Sequence, residues 1–364
     1  MLPCRVMSER LFVDPNLRRA SLLPPEIYTS ESSFRAQTEL FLRSWQLVDA
    51  PRWPSPGETH PFSLLAGSAS EPLLLSRQED HSLHILSNVC THRGNILVDE
   101  PCAQRTIRCG YHGRRFSLDG RFLSMPECEG AEDFPSLADD LRRPERASFG
   151  PFEFVRLGAG EDFDAWLAPV KERLVGLPVE AAVLDPSGIV DHEVAAHWAL
   201  YVDNYLEGFY IPYVHPGLAA SLDYAQYETH CEASVVLQTG IAKPGIQTLP
   251  LPPNHADAAR GVAAFYFWLF PNLMLNVYPW GISVNVVKPI SLTQTLVRFL
   301  PFAFPNAERP RGADVFLEQV EKEDEAIVER VQQGVRARLY RPGRFAPARE
   351  AGVHHFHRLL ATRL

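Results

Sequence analysis

Two short segments of the sequence each offer one cysteine and one histidine as possible metal ligands. In the segment CTHRG the pair is Cys90 and His92. In the segment CGYHG, sixteen residues further on, the pair is Cys109 and His112. Structural zinc sites usually keep like ligands together, as Cys-x2–4-Cys and His-x3–5-His. A [2Fe–2S] centre with two thiolates on one iron and two imidazoles on the other needs one ligand of each type from each segment, and the pattern favours it over the alternative of zinc.

The segments CTHRG and CGYHGRRFSLDG together resemble the Rieske cluster motif. The resemblance implies that Cys90, His92, Cys109 and His112 bind a [2Fe–2S] cluster. The neighbouring glycines would let the backbone approach the sulfurs and donate amide hydrogen bonds. Because imidazole is neutral and thiolate is anionic, two histidine ligands raise the reduction potential above that of an all-cysteine cluster. Such a domain accepts single electrons and passes them on. Arg114 stands where the motif commonly has tryptophan, at a position that is not a ligand.

A third segment, HWALYVDNYLEGFYIPYVHPGL from His197 to Leu218, resembles the mononuclear-iron segment of Rieske non-haem iron oxygenase α subunits. The resemblance covers nearly the whole chain, including PNLMLNVYPW and the C-terminal RPGRFAP. In that family a helix supplies a bridging carboxylate, a histidine three residues later, and a second histidine five residues further on. The resemblance implies that Glu207 is the bridge and His215 the second histidine, with Pro212 producing a kink between them. Tyr210 occupies the position of the first histidine.

The third iron ligand should be a carboxylate far downstream, and helical periodicity indicates one. From Ala313 onward, apolar residues recur on one helix face at about 100° per residue. Asp324 falls in the middle of this face, whereas Glu318, Glu325 and Glu329 fall outside it. A buried carboxylate must be paired or bound to a metal, so a buried salt bridge is the alternative. The family resemblance independently implies Asp324. The apolar face consists of Phe316, Leu317, Val320, Ile327, Val328 and Val331.

Tyr210 leaves three interpretations of the mononuclear site open. A neutral imidazole supports Fe(II), whereas a phenolate favours Fe(III) and forms only after a phenol with a pKa of about 10 loses its proton. Tyr210 either ligates iron and alters its chemistry, or stands aside from a two-ligand site, or marks a site that holds no iron. His197, thirteen residues upstream, points to a different helix face. His192 and His230 have no positional argument as replacements.

Composition excludes several classes of protein. The formal net charge of −9 argues against nucleic acid or an anionic membrane as the main partner. The longest apolar run, Gly261–Phe270, is too short to span a bilayer. The N-terminal sequence shows no apolar segment of signal-peptide length, and six cysteines are too few for a disulfide scaffold. We therefore expect a cytoplasmic protein.

The remaining pattern predicts an α+β chain with two domains. Residues 46–150 contain short apolar runs separated by turns, which indicates an all-β domain. Residues 151–364 are expected to form a catalytic domain whose antiparallel sheet is covered by helices, as the family resemblance implies. The pattern places helices near 197–210 and 313–337 and strands between 232 and 300. Residues 1–45 should contribute a helix that packs on the catalytic domain.

Other features of the sequence are expected to be structural. His354, His355 and His357 flank the apolar stripe of a C-terminal helix, so we expect surface histidines that bind no metal. The aromatic run 265–268 predicts an apolar wall of the substrate pocket.

The resemblance implies a terminal oxygenase component that activates O2 at a mononuclear iron to oxidise a small organic substrate, by mono- or dioxygenation. Because the chain has no Gly-rich nucleotide-binding motif, NAD(P)H should act through a separate reductase or ferredoxin. The family typically forms head-to-tail trimers, which implies that His112 of one subunit hydrogen-bonds Glu207 of the next. The alternative is a Rieske electron-transfer or binding protein with a degenerate or empty mononuclear site, because Tyr210 replaces a histidine ligand.

Overall fold

A computed structural model describes residues 11–50, 52–310 and 312–364, and the chain divides into two compact units. The smaller unit comprises Trp45–Ser148 and Phe152–Ala159, and the larger comprises the described residues up to Ser44, Phe149–Pro151 and Gly160–Leu364. Residues 152–159, which the sequence analysis placed in the second domain, lie in the smaller unit because they include a strand of its sheets. The absence of a signal peptide was inferred in part from residues 1–10, which lie outside the described residues, as does the side chain of Phe316.

The smaller unit consists of strands in small antiparallel sheets. One sheet has the order β4-β3-β2-β5, another β6-β7-β8, and a third β1-β10-β9. Strand β3, between β2 and β4, carries the apolar run Leu73–Leu75, whose side chains are buried on both faces of the strand. The core of this unit includes Cys90 and Cys109, so two of the predicted cluster ligands are anchored in packed structure. The strands are β1 Gln46–Leu47, β2 Glu58–Leu64, β3 Glu71–Arg77, β4 Leu83–Ser87, β5 Cys102–Ala103, β6 Ile107–Arg108, β7 Arg115–Phe116, β8 Phe122–Ser124, β9 Glu145–Phe149 and β10 Phe152–Arg156.

The larger unit is built on a long antiparallel sheet with the order β11-β18-β17-β16-β15-β14-β13, in which β12 also pairs with β18. Its central strands are rich in β-branched and aromatic residues and are almost wholly buried. Helices pack on this sheet, which confirms the predicted α+β fold. The strands are β11 Val183–Leu184, β12 Val190–Val194, β13 Glu228–Glu232, β14 Val235–Ile241, β15 Val262–Leu269, β16 Leu273–Tyr278, β17 Gly281–Ser291 and β18 Gln294–Ala303.

The helices of the larger unit position the residues of the predicted mononuclear site. They are α1 Glu26–Thr29, α2 Glu31–Leu42, α3 Phe163–Arg173, α4 Trp198–Tyr205, α5 Ile211–Val214, α6 Pro216–Ser221, α7 Ala313–Gly334 and α8 Ala351–Arg363. The N-terminal helix α2 packs in this unit, where Trp198 Nε1 donates a hydrogen bond to Gln37 Oε1 at 2.7 Å. None of the helices in the described part of the chain is long and apolar enough to cross a membrane.

Two expectations about helices were wrong. The helix predicted near 197–210 ends at Tyr205, because the chain turns where Gly208 lies against Tyr227, with no room for a Cβ atom. The histidines of α8 were expected at the surface, yet His354 and His357 are buried. Helix α8 contacts both α4 and β13, so more than one of its faces is covered.

Candidate iron–sulfur and mononuclear metal sites

The two cysteine–histidine segments form the same backbone turn. In each turn the cysteine N–H donates to the carbonyl five residues later at 2.8 Å. The glycine N–H four residues later donates back to the cysteine carbonyl at 3.1 Å. These glycines, Gly94 and Gly113, have φ angles of +72° and +73°, a region that side chains disfavour. The shared turn explains why each segment presents one cysteine and one histidine in an equivalent way.

The side chains of the four predicted cluster ligands converge. The thiols of Cys90 and Cys109 are buried and hydrogen-bond each other. The rings of His92 and His112 lie 4.9 Å apart between centroids, at an interplanar angle of 73°. No described group hydrogen-bonds the buried Nδ1 atom of His112, so this nitrogen is suited to bind a metal.

Backbone amides surround the two sulfurs. Burial raises the pKa of the Cys90 thiol, although the amide of His92 opposes this shift. At Cys109 burial again favours the thiol, but the amides of Tyr111 and His112 and the neighbouring cysteine outweigh it and lower the pKa. Amide donors to sulfur stabilise the thiolate form that binds metal.

The spread of the four ligands fits two metal ions better than one. Around a single tetrahedral zinc the ligand atoms lie about 2.0–2.3 Å from the metal and therefore close to one another. Among the described residues, the one group of three or more Cys, His, Asp or Glu side chains with ligand atoms within 4.8 Å of one another is His192, Glu321 and Glu325. The four cluster residues form no such group, which fits thiolates on one iron and imidazoles on another.

In the larger unit, His215 and Asp324 come together as the sequence analysis predicted. His215 Nε2 lies 3.1 Å from Asp324 Oδ1, and His215 Nδ1 lies 2.7 Å from Glu323 Oε2. With its Nδ1 proton donated to Glu323, a neutral His215 directs the lone pair of Nε2 toward the Asp324 carboxylate. Two lone pairs at this distance require a proton or a metal ion between them. Metal-binding histidines commonly donate their second ring N–H to a carboxylate in this way.

The titration of His215 fits the same arrangement. Its side chain is fully buried, and burial by itself lowers the pKa of a histidine. The carboxylates of Asp324 and Glu323 outweigh this effect and raise the pKa of His215. The carboxylates of Asp324 and Glu323 therefore favour a positive charge at or next to the His215 ring.

Tyr210 stands beside this pair. Asn204 Nδ2 lies 2.6 Å from Asp324 Oδ1 and 3.2 Å from the Tyr210 hydroxyl, so one amide holds both groups. The Tyr210 ring meets the His215 ring edge-on, at 4.9 Å between centroids. Burial, followed by the charges of Asp324 and Glu207, raises the pKa of Tyr210 well above its usual value. The phenol therefore resists the loss of the proton that metal binding requires.

Glu207 lies in the turn after α4. Its carboxylate accepts hydrogen bonds from the N–H groups of Phe209 and Tyr210. Burial raises the pKa of Glu207 to about 7. Glu207 and Tyr210 line two cavities, one of about 160 Å³ and one of about 220 Å³, and thus stand at the wall between them.

The three histidines considered as replacement ligands lie in other environments. His197 accepts the N–H of Ala199 at the start of α4 and packs against Phe34. His192 lies 2.8 Å from Glu325, and His230 is largely exposed on β13.

The cavity of about 160 Å³ lies between the sheet and helices α4 and α7 and reaches Asp324. Its aromatic lining consists of Tyr201, Tyr205, Tyr210, Tyr227, Tyr266, Tyr278, Trp280 and Phe299. Of the aromatic run 265–268, which was expected to form an apolar wall, only Tyr266 lines this cavity. Phe265 and Phe267 point to the opposite face of β15, and Trp268 packs against Phe356 of α8.

Sequence reasoning missed Glu321, which also lines this cavity. The residue is buried, and the Tyr201 hydroxyl lies 2.9 Å from each of its carboxylate oxygens. Burial raises the pKa of Glu321 well above its usual value. The available signal was its spacing, since it precedes Asp324 by one helical turn and shares its face of α7.

Two family models match the chain. The Rieske [2Fe-2S] domain matches residues 44–135, and the catalytic domain of the ring hydroxylating alpha subunit matches residues 181–364.

Known proteins match over most of their length. The carnitine monooxygenase oxygenase subunit of Escherichia coli K12 is 29% identical over 381 aligned positions, which cover 99% of this chain and 97% of that protein. The chloroplastic choline monooxygenase of Beta vulgaris is 27% identical over 353 positions, which cover 93% of this chain and 76% of that protein. A solved structure of the quaternary ammonium Rieske monooxygenase CntA superposes with a TM-score of 0.77 at 25% identity, covering 96% of each chain.

Proposed function

This chain belongs to the Rieske oxygenases as an α subunit, and we propose that it is the terminal component of a monooxygenase that oxidises a small quaternary ammonium compound. Members of the family use a Rieske [2Fe–2S] cluster and a mononuclear iron. When bound, the cluster supplies single electrons and the iron supplies O2 activation.

The aromatic cavity next to Asp324 carries this proposal. A quaternary ammonium group cannot donate an N–H hydrogen bond, so proteins recognise it through the electron-rich faces of aromatic rings. The cavity offers eight aromatic side chains together with the carboxylates of Glu207, Glu321 and Asp324. This lining suits a small cation far better than a neutral aromatic hydrocarbon. The relatives with matching architecture act on carnitine and choline, both of which carry such a group.

We assign a role to each residue of the predicted mononuclear iron site. His215 and Asp324 hold the metal, and Glu323 retains the Nδ1 proton of His215 so that Nε2 is free to bind. Asn204 orients the Asp324 carboxylate through its 2.6 Å hydrogen bond. Tyr210 stands in the place of the third ligand, and its buried neutral phenol weakens the site. Cys90, His92, Cys109 and His112 hold the cluster in the other unit.

We propose that electrons come from a separate NAD(P)H-dependent reductase or ferredoxin and that the chain forms a homotrimer. In this assembly the cluster of one subunit would serve the iron of its neighbour through His112 and Glu207. Inter-subunit electron transfer described for a solved relative supports this arrangement, as does the position of Glu207 at a wall between two cavities. We also propose a cytoplasmic location, where such a reductase finds its nucleotide. Size-exclusion chromatography with light scattering tests the trimer, which a monomer would contradict.

The proposed reaction is tested with the iron-loaded protein and a reductase of the family. We expect O2 consumption and product formation with choline, carnitine or γ-butyrobetaine, with one O2 used per product. The control is 3,3-dimethylbutanol, the neutral analogue of choline, which should give neither. Oxidation of naphthalene or of the neutral analogue, without oxidation of any quaternary ammonium compound, would overturn the proposal.

A further inference from the structure

We infer that the substrate is a quaternary ammonium cation that carries no carboxylate, and that Glu321 selects for its positive charge. This inference rests on the proposed function, since it concerns the same cavity and the same reaction. The relatives act on both kinds of compound, because carnitine carries a carboxylate and choline does not. The residues that line the cavity favour a compound without a carboxylate over one that carries it.

The cavity lining carries acidic side chains and no basic ones. Among the described residues, its lining includes the carboxylates of Glu207, Glu321 and Asp324 and no arginine, lysine or histidine. With Asp324 binding the metal, two carboxylates still face the substrate. A carboxylate on the substrate would have no cation to pair with inside the cavity, which makes its burial strongly unfavourable. A cation would instead favour the ionised forms of Glu207 and Glu321, which burial alone disfavours.

One basic side chain acts on the lining from outside it. Arg309 affects the pKa of Tyr278, which lines the cavity, but it also acts on the exposed carboxylate of Asp185. It does not line the cavity. The described lining therefore contains no arginine that could pair with a substrate carboxylate.

Glu321 can offer one carboxylate oxygen to a cation. Tyr201 lies 2.9 Å from both of its oxygens, but a single hydroxyl proton serves only one of them at a time. The second oxygen of this buried carboxylate therefore needs another favourable partner. A trimethylammonium group lying between Glu321 and the aromatic rings supplies positive charge at that point.

His192 lies near two glutamates of α7: its ring nitrogen and one carboxylate oxygen each of Glu321 and Glu325 lie within 4.8 Å of one another. His192 lies 2.8 Å from Glu325 Oε1, one helical turn further along α7. Glu325 does not line the cavity. The two glutamates thus provide a matched pair of test positions, one in the cavity lining and one outside it.

Direct binding to the intact iron-loaded protein tests the inference without turnover. Calorimetry would compare choline, γ-butyrobetaine and γ-butyrobetaine methyl ester, of which the last carries an uncharged ester in place of the carboxylate. We expect choline and the ester to bind at least tenfold more tightly than γ-butyrobetaine. Equal or tighter binding of γ-butyrobetaine would overturn the inference while leaving the proposed function intact. If 3,3-dimethylbutanol binds and none of the cations does, the proposed function itself fails.

Substitution of Glu321 then tests whether this residue selects for the positive charge. Glu321→Gln should weaken choline binding at least tenfold, leave 3,3-dimethylbutanol binding unchanged, and reduce the preference for the ester over γ-butyrobetaine. Glu325→Gln, the matched control, should change none of these. Visible absorption of the cluster and far-UV circular dichroism confirm that each variant is folded. Unchanged choline binding in folded Glu321→Gln overturns the assignment of Glu321. If that variant does not fold, the comparison of ligands in the wild type decides the inference.

Discussion

Asp324 Oδ1 lies 3.1 Å from His215 Nε2, although 109 residues separate the two along the chain. Helix α7 supplies the carboxylate, and the histidine follows the short helix α5. Glu323 fixes the histidine from its other nitrogen, and Asn204 fixes the carboxylate. The two facing groups are thus held in place by neighbours, as is common for metal-binding side chains.

Asp324→Ala should remove the iron that the mononuclear site binds and leave the Rieske spectrum unchanged, because the two sites share no ligand. Metal analysis and visible absorption of the same sample measure both effects, in the wild-type background and with Tyr210→His. Glu318→Ala is the control, since Glu318 is an exposed partner of Lys322 on the same helix. Retention of the mononuclear iron in Asp324→Ala would show that Asp324 is not a ligand.

Tyr210→His should raise the iron content toward three per chain at constant Rieske absorption. The imidazole binds Fe(II) at neutral pH without the proton loss that the buried phenol resists. Tyr210→Phe is the control, because it removes the hydroxyl and adds no ligand. A wild-type protein that already holds three irons and has a phenolate-to-ferric charge-transfer band would identify Tyr210 as a true ligand. Equal iron in wild type and Tyr210→His without that band would mean that another residue fills the position.

The sequence predicted the parts of the site that depend on short-range spacing. Residues within each of the two turns keep fixed offsets, so local spacing was enough to predict Cys90, His92, Cys109 and His112 as cluster ligands. Helical periodicity likewise placed Asp324 on the inner face of α7. These inferences needed only local geometry and the cost of burying a charge.

The features that the sequence analysis missed depend on contacts between distant elements. Glu321 becomes informative only when Tyr201 of α4 is seen against it. His354 and His357 of α8 are buried because a second element covers the polar side of their helix, and His357 lies 2.8 Å from Asp203. Val331, counted in the apolar stripe of α7, is 42% exposed, since the stripe runs beyond the elements that cover it. Periodicity identifies an apolar face but not how many neighbours cover the helix.

The cluster itself gives a spectroscopic prediction. The purified protein should be brown, and its reduced form should show the low average g-value of a histidine-ligated [2Fe–2S] centre. His92→Cys should lower the reduction potential if the cluster is retained, because a thiolate adds negative charge where a neutral imidazole stood. Redox titration followed by visible absorption measures this shift. A colourless protein with one tightly bound zinc per chain would contradict the assignment of the cluster.

His197 makes the stability of the larger unit dependent on pH. Burial lowers the pKa of His197 to about 3, and no described group hydrogen-bonds its Nε2 atom. An unfolded histidine has a pKa of about 6.5, so the contribution of neutral His197 is fully present above that pH. As the pH falls below about 6.5, the unfolded chain takes up a proton at this histidine that the folded protein does not. The free energy of unfolding therefore decreases by about 1.4 kcal/mol per pH unit until the pH approaches the folded pKa.

His197→Asn should remove this dependence and keep the start of α4, because asparagine is a favoured N-cap and can accept the Ala199 N–H in place of Nδ1. Between pH 7 and pH 5 the wild type should lose about 2 kcal/mol more than the variant. Urea denaturation followed by tryptophan fluorescence at each pH measures the difference. His230→Asn is the control, since that histidine is largely exposed and should leave the pH profile as it is in the wild type. Parallel pH profiles for wild type and His197→Asn would mean that His197 takes up a proton in the folded protein, and its buried environment would then have to contain a partner for the charge.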